Sequence, residues 1–168
     1  MAWTIPKRWT VLSSIGTAEI NQELNENMNL LKGTRSVFCI NGLYAAGSNA
    51  TGSLLAVPGV PLLSITKTMS AVDSDLLVTF QGGVYTSTAF ASGDFDITIN
   101  GIDHLFPRFA INEQNMWRGY MASLQIPGFA AGVHSAQLKW RAAGGTLNVD
   151  ASTSYSVACY EVPKVAVV

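Results

Sequence analysis

From Ser36 onward the chain alternates between apolar and polar positions. In Asp94-Phe95-Asp96-Ile97-Thr98-Ile99-Asn100, the residues Phe95, Ile97 and Ile99 share one side of an extended segment and the polar set shares the other. This is the period-two pattern of a strand with one buried face. Ser135 to Arg141 repeats it, with Ala136, Leu138 and Trp140 inward and Gln137, Lys139 and Arg141 outward. Asn100-Gly101 between apolar runs marks a two-residue hairpin. Pro107, inside the next run from Ile102 to Phe109, marks an edge or a bulge. Similar runs are Arg35 to Ile40, Leu62 to Met69, Leu76 to Phe80, Gly83 to Phe90, Met116 to Ile126, Thr146 to Val149 and Ser154 to Val162. About eight or nine such strands predict a mainly β domain over residues 34–168, a two-sheet sandwich or a jelly roll.

The first 33 residues follow another pattern. Met1 to Gly16 reads as an extended arm, because Pro6 fixes its own φ and disfavours helix at Ile5. Trp3, Ile5 and Trp9 are large apolar groups that a lone arm cannot bury, and Lys7 and Arg8 stand between them. Trp and Arg are favoured interface anchors, so Trp3, Lys7, Arg8 and Trp9 are candidates for docking on a neighbouring subunit or a larger scaffold. Packing on the arm's own domain is the alternative. Thr17 to Lys32 predicts one short α-helix, with Thr17 as N-cap, Glu19 in the first turn and Gly33 as the stop. Ile20, Leu24, Met28 and Leu31 make a narrow apolar stripe among Asn, Gln and Glu. Such a stripe suits a subunit seam, so Ile20, Leu24 and Leu31 are candidates for an oligomer interface. A helix lying across one end of the β domain is the other reading.

Composition sharpens this picture. Charged residues are 12% of the chain and hydrophobic residues 48%, against an average charged share of about 25%. So few charges argue against a disordered solvating protein. They also leave much of the surface to Ser, Thr, Asn, Gly and apolar groups, as expected when part of it is covered in an assembly. Ten Lys+Arg against eleven Asp+Glu give a net charge of −1, which argues against a sequence-independent nucleic-acid binder. No apolar run reaches the roughly 18 residues of a membrane span. No apolar segment near the N-terminus precedes a small-residue cleavage site, so no signal peptide is expected. Cys39 and Cys159 sit in apolar runs, and a buried free thiol is expected for both.

The search for chemistry finds little. His134 shares strand parity with Ala136, Leu138 and Trp140, which reads as a core cap, and His104 has apolar neighbours. No nucleophile elbow, metalloprotease helix, phosphate loop or paired C-x-x-C motif occurs. Asp73 with Asp75, and Asp94 with Asp96, place carboxylates on one side of extended segments; solvated strand faces account for both, and a Ca²⁺ site would need more oxygens. No catalytic residue, cofactor or metal is expected. A polysaccharide hydrolase would need two facing acids in a cleft. Tyr44, Tyr85, Trp117 and Tyr120 are able either to stack on sugars or to serve as core and contact residues.

Trp3, Trp9, Thr17-Ala18-Glu19-Ile20-Asn21 and Asn27-Met28-Asn29-Leu30-Leu31 together resemble the opening of many tailed-bacteriophage structural proteins. The run Ile126-Pro127-Gly128, Ala131 to Trp140, Gly144-Gly145-Thr146 and Tyr160-Glu161-Val162 is similar to jelly-roll modules of the tumour-necrosis-factor or C1q type. The two patterns cover about half the chain, and nothing is matched between Gly42 and Pro61. The resemblance implies a homotrimer without catalytic residues, located on the phage particle. The expected role is capsid decoration or head fibre, attached through the arm to the major capsid or other virion proteins. A tail-tip protein that binds a receptor or host surface glycans is the alternative.

Overall fold

A computed structural model of the chain describes residues 35–164. The expected arm and helix, with Trp3, Lys7, Arg8, Trp9, Ile20, Leu24 and Leu31, lie outside the described residues. The strands are β1 (Arg35–Leu43), β2 (Gly47–Asn49), β3 (Leu55–Ala56), β4 (Leu63–Lys67), β5 (Ser74–Thr86) and β6 (Ala91–Ile99). They continue as β7 (Ile102–Leu105), β8 (Phe109–Ile111), β9 (Trp117–Ile126), β10 (Gly132–Gly144), β11 (Leu147–Val149) and β12 (Ser154–Pro163).

Two antiparallel sheets result. In the first, β1-β12-β5-β9 are neighbours, with β11 and β2 continuing beside β5. In the second, β10 lies between β6 and the β3 and β4 segments, and β7 and β8 line the other side of β6. Taking β1, β4, β5, β6, β8, β9, β10 and β12 as the main strands, their order is first-eighth-third-sixth and second-seventh-fourth-fifth. Two interlocked Greek keys of this kind make a jelly roll, as the alternation predicts.

Phe95, Ile97, Ile99, Ala136, Leu138 and Trp140 are all buried between the sheets, on the inward side assigned to them. Phe80, Phe95, Phe106, Phe109 and Tyr120 form an aromatic cluster with ring centroids 4.6 to 6.1 Å apart. Asn100 and Gly101 take φ of 51° and 83°, the pair of positive values a tight hairpin needs. The Ile102 to Phe109 run is one strand in two pieces. The β6 register slips by one residue between Asp96↔Leu105 and Gly93↔Phe109, and Pro107 stands in the gap. The Tyr120 hydroxyl donates to the Pro107 carbonyl at 2.6 Å, tying β9 of the first sheet to this flank of the second.

Three expectations need correction. Leu76 to Phe80 and Gly83 to Phe90 are not two strands: β5 runs unbroken through Gly82-Gly83. Gly82 is there for the core, since a Cβ on it would run into the Tyr44 hydroxyl. Cys39 is exposed, and only Cys159 is buried, with its thiol pushed up to about 12 by burial and by Glu161. Asp75, Asp94 and Asp96 are not solvated; all three are buried.

One buried feature left no signal in the sequence. Lys67 ends β4 on its inward parity, Glu161 lies inward on β12, and both are buried. Their charged atoms stand 3.7 Å apart. Lys67 Nζ donates to the carbonyls of Met69 (2.6 Å) and Ser70 (3.0 Å) and to Ser74 Oγ (2.7 Å). Glu161 accepts from the Thr68 and Met69 amides and from the Thr68 and Ser74 hydroxyls. Burial raises the Glu161 pKa, but these hydrogen bonds outweigh it and hold the carboxyl below its usual range. The pair pins one sheet to the other at the end where β1 begins. Lys67→Met leaves Glu161 buried without its counter-charge and is expected to cost about 3 kcal/mol or more, read as a lowered urea midpoint. Adding Glu161→Leu should recover much of that loss. A single-variant cost within ~0.5 kcal/mol of zero, typical of an uninvolved surface site, would show that the pair does not hold this end.

Candidate functional site

The two outer faces of the sandwich differ in charge. On the first sheet the outward residues are Cys39, Asn41 and Leu43 of β1; Ser154, Ser156, Ala158, Tyr160 and Val162 of β12; Leu77, Thr79, Gln81, Gly83 and Tyr85 of β5; and Trp117, Gly119, Met121, Ser123 and Gln125 of β9. None is a Lys, Arg, Asp or Glu. The face is bounded by Asp75, at the start of β5, which pairs with Lys164 at 3.0 Å and accepts from Gln125 at 2.9 Å. Large apolar groups stand out of it: Met121 is 79% exposed, Leu43 59% and Trp117 46%.

A dish of about 520 Å³ opens in this face, lined by Asn41, Gln81, Gly82, Gly83, Gly119, Tyr120, Met121, Thr153, Ser154, Tyr155 and Ser156. Its floor is the cross-strand pair Gly83↔Gly119. Beside it the Tyr85 and Trp117 rings lie 4.6 Å apart, tilted by 40°. Its polar groups are amides and hydroxyls. Such a surface can bind an uncharged partner and has no group poised for acid–base or nucleophilic work.

The outer face of the second sheet holds the ion pairs. Asp94 accepts two hydrogen bonds from Arg108 (2.8 and 2.9 Å) and one from Arg141 (2.9 Å). The Arg108 bond above all, with Arg141, holds its carboxyl below the usual range despite burial. Lys139 reaches Asp103 at 3.4 Å. Asp96 lies between these groups, fully buried, with Oδ2 unpartnered. Thr98 Oγ1 is 3.1 Å from Asp96 and 2.7 Å from Asp103. One hydroxyl has one proton, and the shorter contact assigns it to Asp103. Asp96 then satisfies Thr98 best as a neutral acid. Burial, with Asp103 adding, pushes its pKa up to about 6, against the opposing pull of Thr98, Lys139 and Arg141.

The remaining candidates are scattered. His134 Nδ1 meets the Asn100 side-chain amide at 2.8 Å and Nε2 the Ala130 carbonyl at 2.9 Å, a core cap as its parity suggested. His104 packs edge-on to Phe129 at 5.8 Å, and burial lowers its pKa. Tyr44 and Tyr120 belong to the core, whereas Tyr85 and Trp117 lie at the outer face. Among the described residues, no three His, Cys, Asp or Glu side chains gather as a metal site, and no helix is long and apolar enough to cross a membrane. At the end of the sandwich away from the start of β1, the β5–β6 and β8–β9 loops expose Phe90 (77%) and Met116. Phe90 has φ 58°, and Gln114 donates from one loop to the Ser87 carbonyl of the other.

No family model matches the chain, and no curated protein matches it. Solved structures resemble it distantly. The Eiger TNF of S. frugiperda is 12% identical, with 76% of this chain and 94% of that one aligned at a TM-score of 0.43. The VP2 subviral particle of infectious bursal disease virus is 12% identical over 76% of this chain and 41% of that one, at 0.36. A family 35 carbohydrate-binding module from an environmental isolate is 16% identical over 79% and 94%, at 0.30. These likenesses fit a jelly-roll domain and extend to fold alone.

The acid at Asp96 yields a pH test. Its folded pKa lies above the ordinary carboxylate value, so the folded state binds the extra proton between about pH 4 and pH 6. Stability from this group is present at low pH and lost as pH rises through about 6. Asp96→Asn keeps the neutral shape, so thermal denaturation should show the variant gaining on the original protein from pH 4 to 7. Parallel pH profiles would contradict the buried neutral acid.

Proposed function

We propose that this chain is a structural virion protein of a tailed phage. It is a homotrimer assembled through the outer face of the β1-β12-β5-β9 sheet and held on the particle by its N-terminal arm. In this reading Trp3, Lys7, Arg8 and Trp9 dock on the major capsid or another virion protein, and Ile20, Leu24 and Leu31 add subunit contacts near the axis. The role is decoration or head fibre, without catalysis or cofactor.

The scarcity of charge on one outer face, where the Asp75–Lys164 pair stands only at one end, with three ion pairs gathered on the other, carries the reading. Interface centres are depleted in charge and enriched in aromatic residues and Met, as Trp117, Tyr85 and Met121 are placed here. Four strands about 4.8 Å apart and about ten residues long span roughly 600 Å² in projection. With side chains standing from it, such a face approaches the ~800 Å² a chain gives to one stable pairwise contact, and Ile20, Leu24 and Leu31 supply further area in this reading. Three arms on one trimer then bind together far more tightly than one, provided all reach their sites. Binding only the assembled shell stabilises it over its separated parts.

The exposed Phe90, Met116 and Trp117 at the end away from the start of β1 favour one second reading, a tail-tip protein whose loops bind a receptor or surface glycan.

In light-scattering chromatography at micromolar concentration the full chain should run as a trimer, and Thr79→Glu, which places charge at the middle of the face, should run as a folded monomer. Deleting Met1 to Gly16 should leave the β domain folded while abolishing attachment to particles. A monomeric parent protein overturns the trimer. A truncated chain that decorates particles normally overturns the docking arm.

A further inference from the structure

Gly119 has no reason within the described chain to be glycine. It lies in the middle of β9, and its φ is not among the positive ones. A Cβ built there would meet nothing within 4 Å. Glycine inside a strand costs about 0.5–1 kcal/mol in ordering entropy and gives up cross-strand contact. Its neighbours differ. Gly82 makes room for Tyr44, and a Cβ on Gly83 would stand 2.7 Å from the Thr153 methyl. Gly83 faces Gly119 across the strands, so the pair leaves a bare window of backbone. Trp117 and Met121, two residues to either side on the same face, are its walls. A glycine that nothing among the described residues requires marks a place where something outside them comes close to the backbone.

We propose that this window is the seat of a second copy of this chain. A side chain of the neighbouring copy enters between Trp117 and Met121 and rests on the backbone of Gly83 and Gly119. The inference rests on the assembly reading above and adds where the contact is closest. The occupant is a copy rather than a small ligand because the uncharged surface does not stop at the dish. It runs on through Thr79, Ser123 and Tyr160, well beyond the reach of a single sugar. Around a threefold axis the copies turn this same face toward one another, so uncharged surface of one copy covers uncharged surface of the next.

The full-length protein tests this with Gly119→Val. Valine suits a strand, has a Cβ that meets nothing among the described residues and leaves the β domain folded, while its methyls fill the seat. Circular dichroism should show an unchanged fold, and light scattering should show association weakened tenfold or more. Ser135→Val, on the outer face of the other sheet, should associate like the parent protein. Should Gly119→Val misfold, hydroxyl-radical footprinting of the parent decides: Met121 and Trp117 are protected at high concentration and oxidised on dilution, while Phe90 reacts at both. If the parent assembles and Gly119→Val assembles as tightly, or Met121 stays reactive in the assembly, the seat is wrong and the assembly reading stands. If the parent is a monomer, both fall. If Gly119→Val associates normally but loses binding to a neutral-glycan array, the window is a sugar site and the inference is overturned.

Discussion

One outer face of this sandwich is almost without charge, and the ionic chemistry of the described residues is gathered elsewhere. A β-sandwich buries the inner sides of its sheets and leaves two outer sides to be solvated. Here the outer side of the β6–β10 sheet has Asp94, Asp103, Lys139 and Arg141 on it. The other outer side has one charged residue over four strands, Asp75 at the start of β5, paired with Lys164. With 12% charged residues in the whole chain, the exposed ion pairs of the described residues are concentrated on the β6–β10 face and at the rims. Asp75, the acid nearest the uncharged face, is neutralised by Lys164 and covered by Gln125.

The same economy appears inside. Lys67 and Glu161 are buried at one end, where each satisfies backbone groups of the turn after β4 as well as its partner. Such a pair adds less net stability than apolar packing would, but it fixes which residues meet across the two sheets. At the flank, the Tyr120–Pro107 hydrogen bond does a similar job for β9. Together these contacts fix the sheet that carries β5 and β9 against the other sheet, at one end and along one flank.

Much of the fold was legible. Strict alternation in 94–100 and 135–141, the Asn100-Gly101 turn and the Pro107 interruption were read correctly, because side-chain period and turn chemistry are local properties. What failed depended on distant residues. Gly82-Gly83 looks like a break until Tyr44, far away in sequence, is seen to need the space. Asp94 and Asp96 look solvated because Arg108 and Arg141 come from other strands. Lys67 and Glu161 look like ordinary surface charges, and only the register of β4 and β12 turns both inward. Cys39 falls in an apolar run, yet its parity on β1 points outward. The face itself was half visible: the low total of charge was read, but its division between the two sheets needs the strand order. The residues on which the sequence placed docking and subunit contact all fall outside residues 35–164.

Cys39 offers the most direct measurement. It stands exposed on the uncharged face, and the other cysteine, Cys159, is buried with its thiol pushed up to about 12. A small thiol reagent therefore reports on this face alone while the protein is folded. If a second copy covers the face, Cys39 in the full-length protein is slow to label at high concentration and becomes fast on dilution, in step with loss of the trimer. Rapid labelling of Cys39 at every concentration, in protein that scatters as a trimer, would contradict the account.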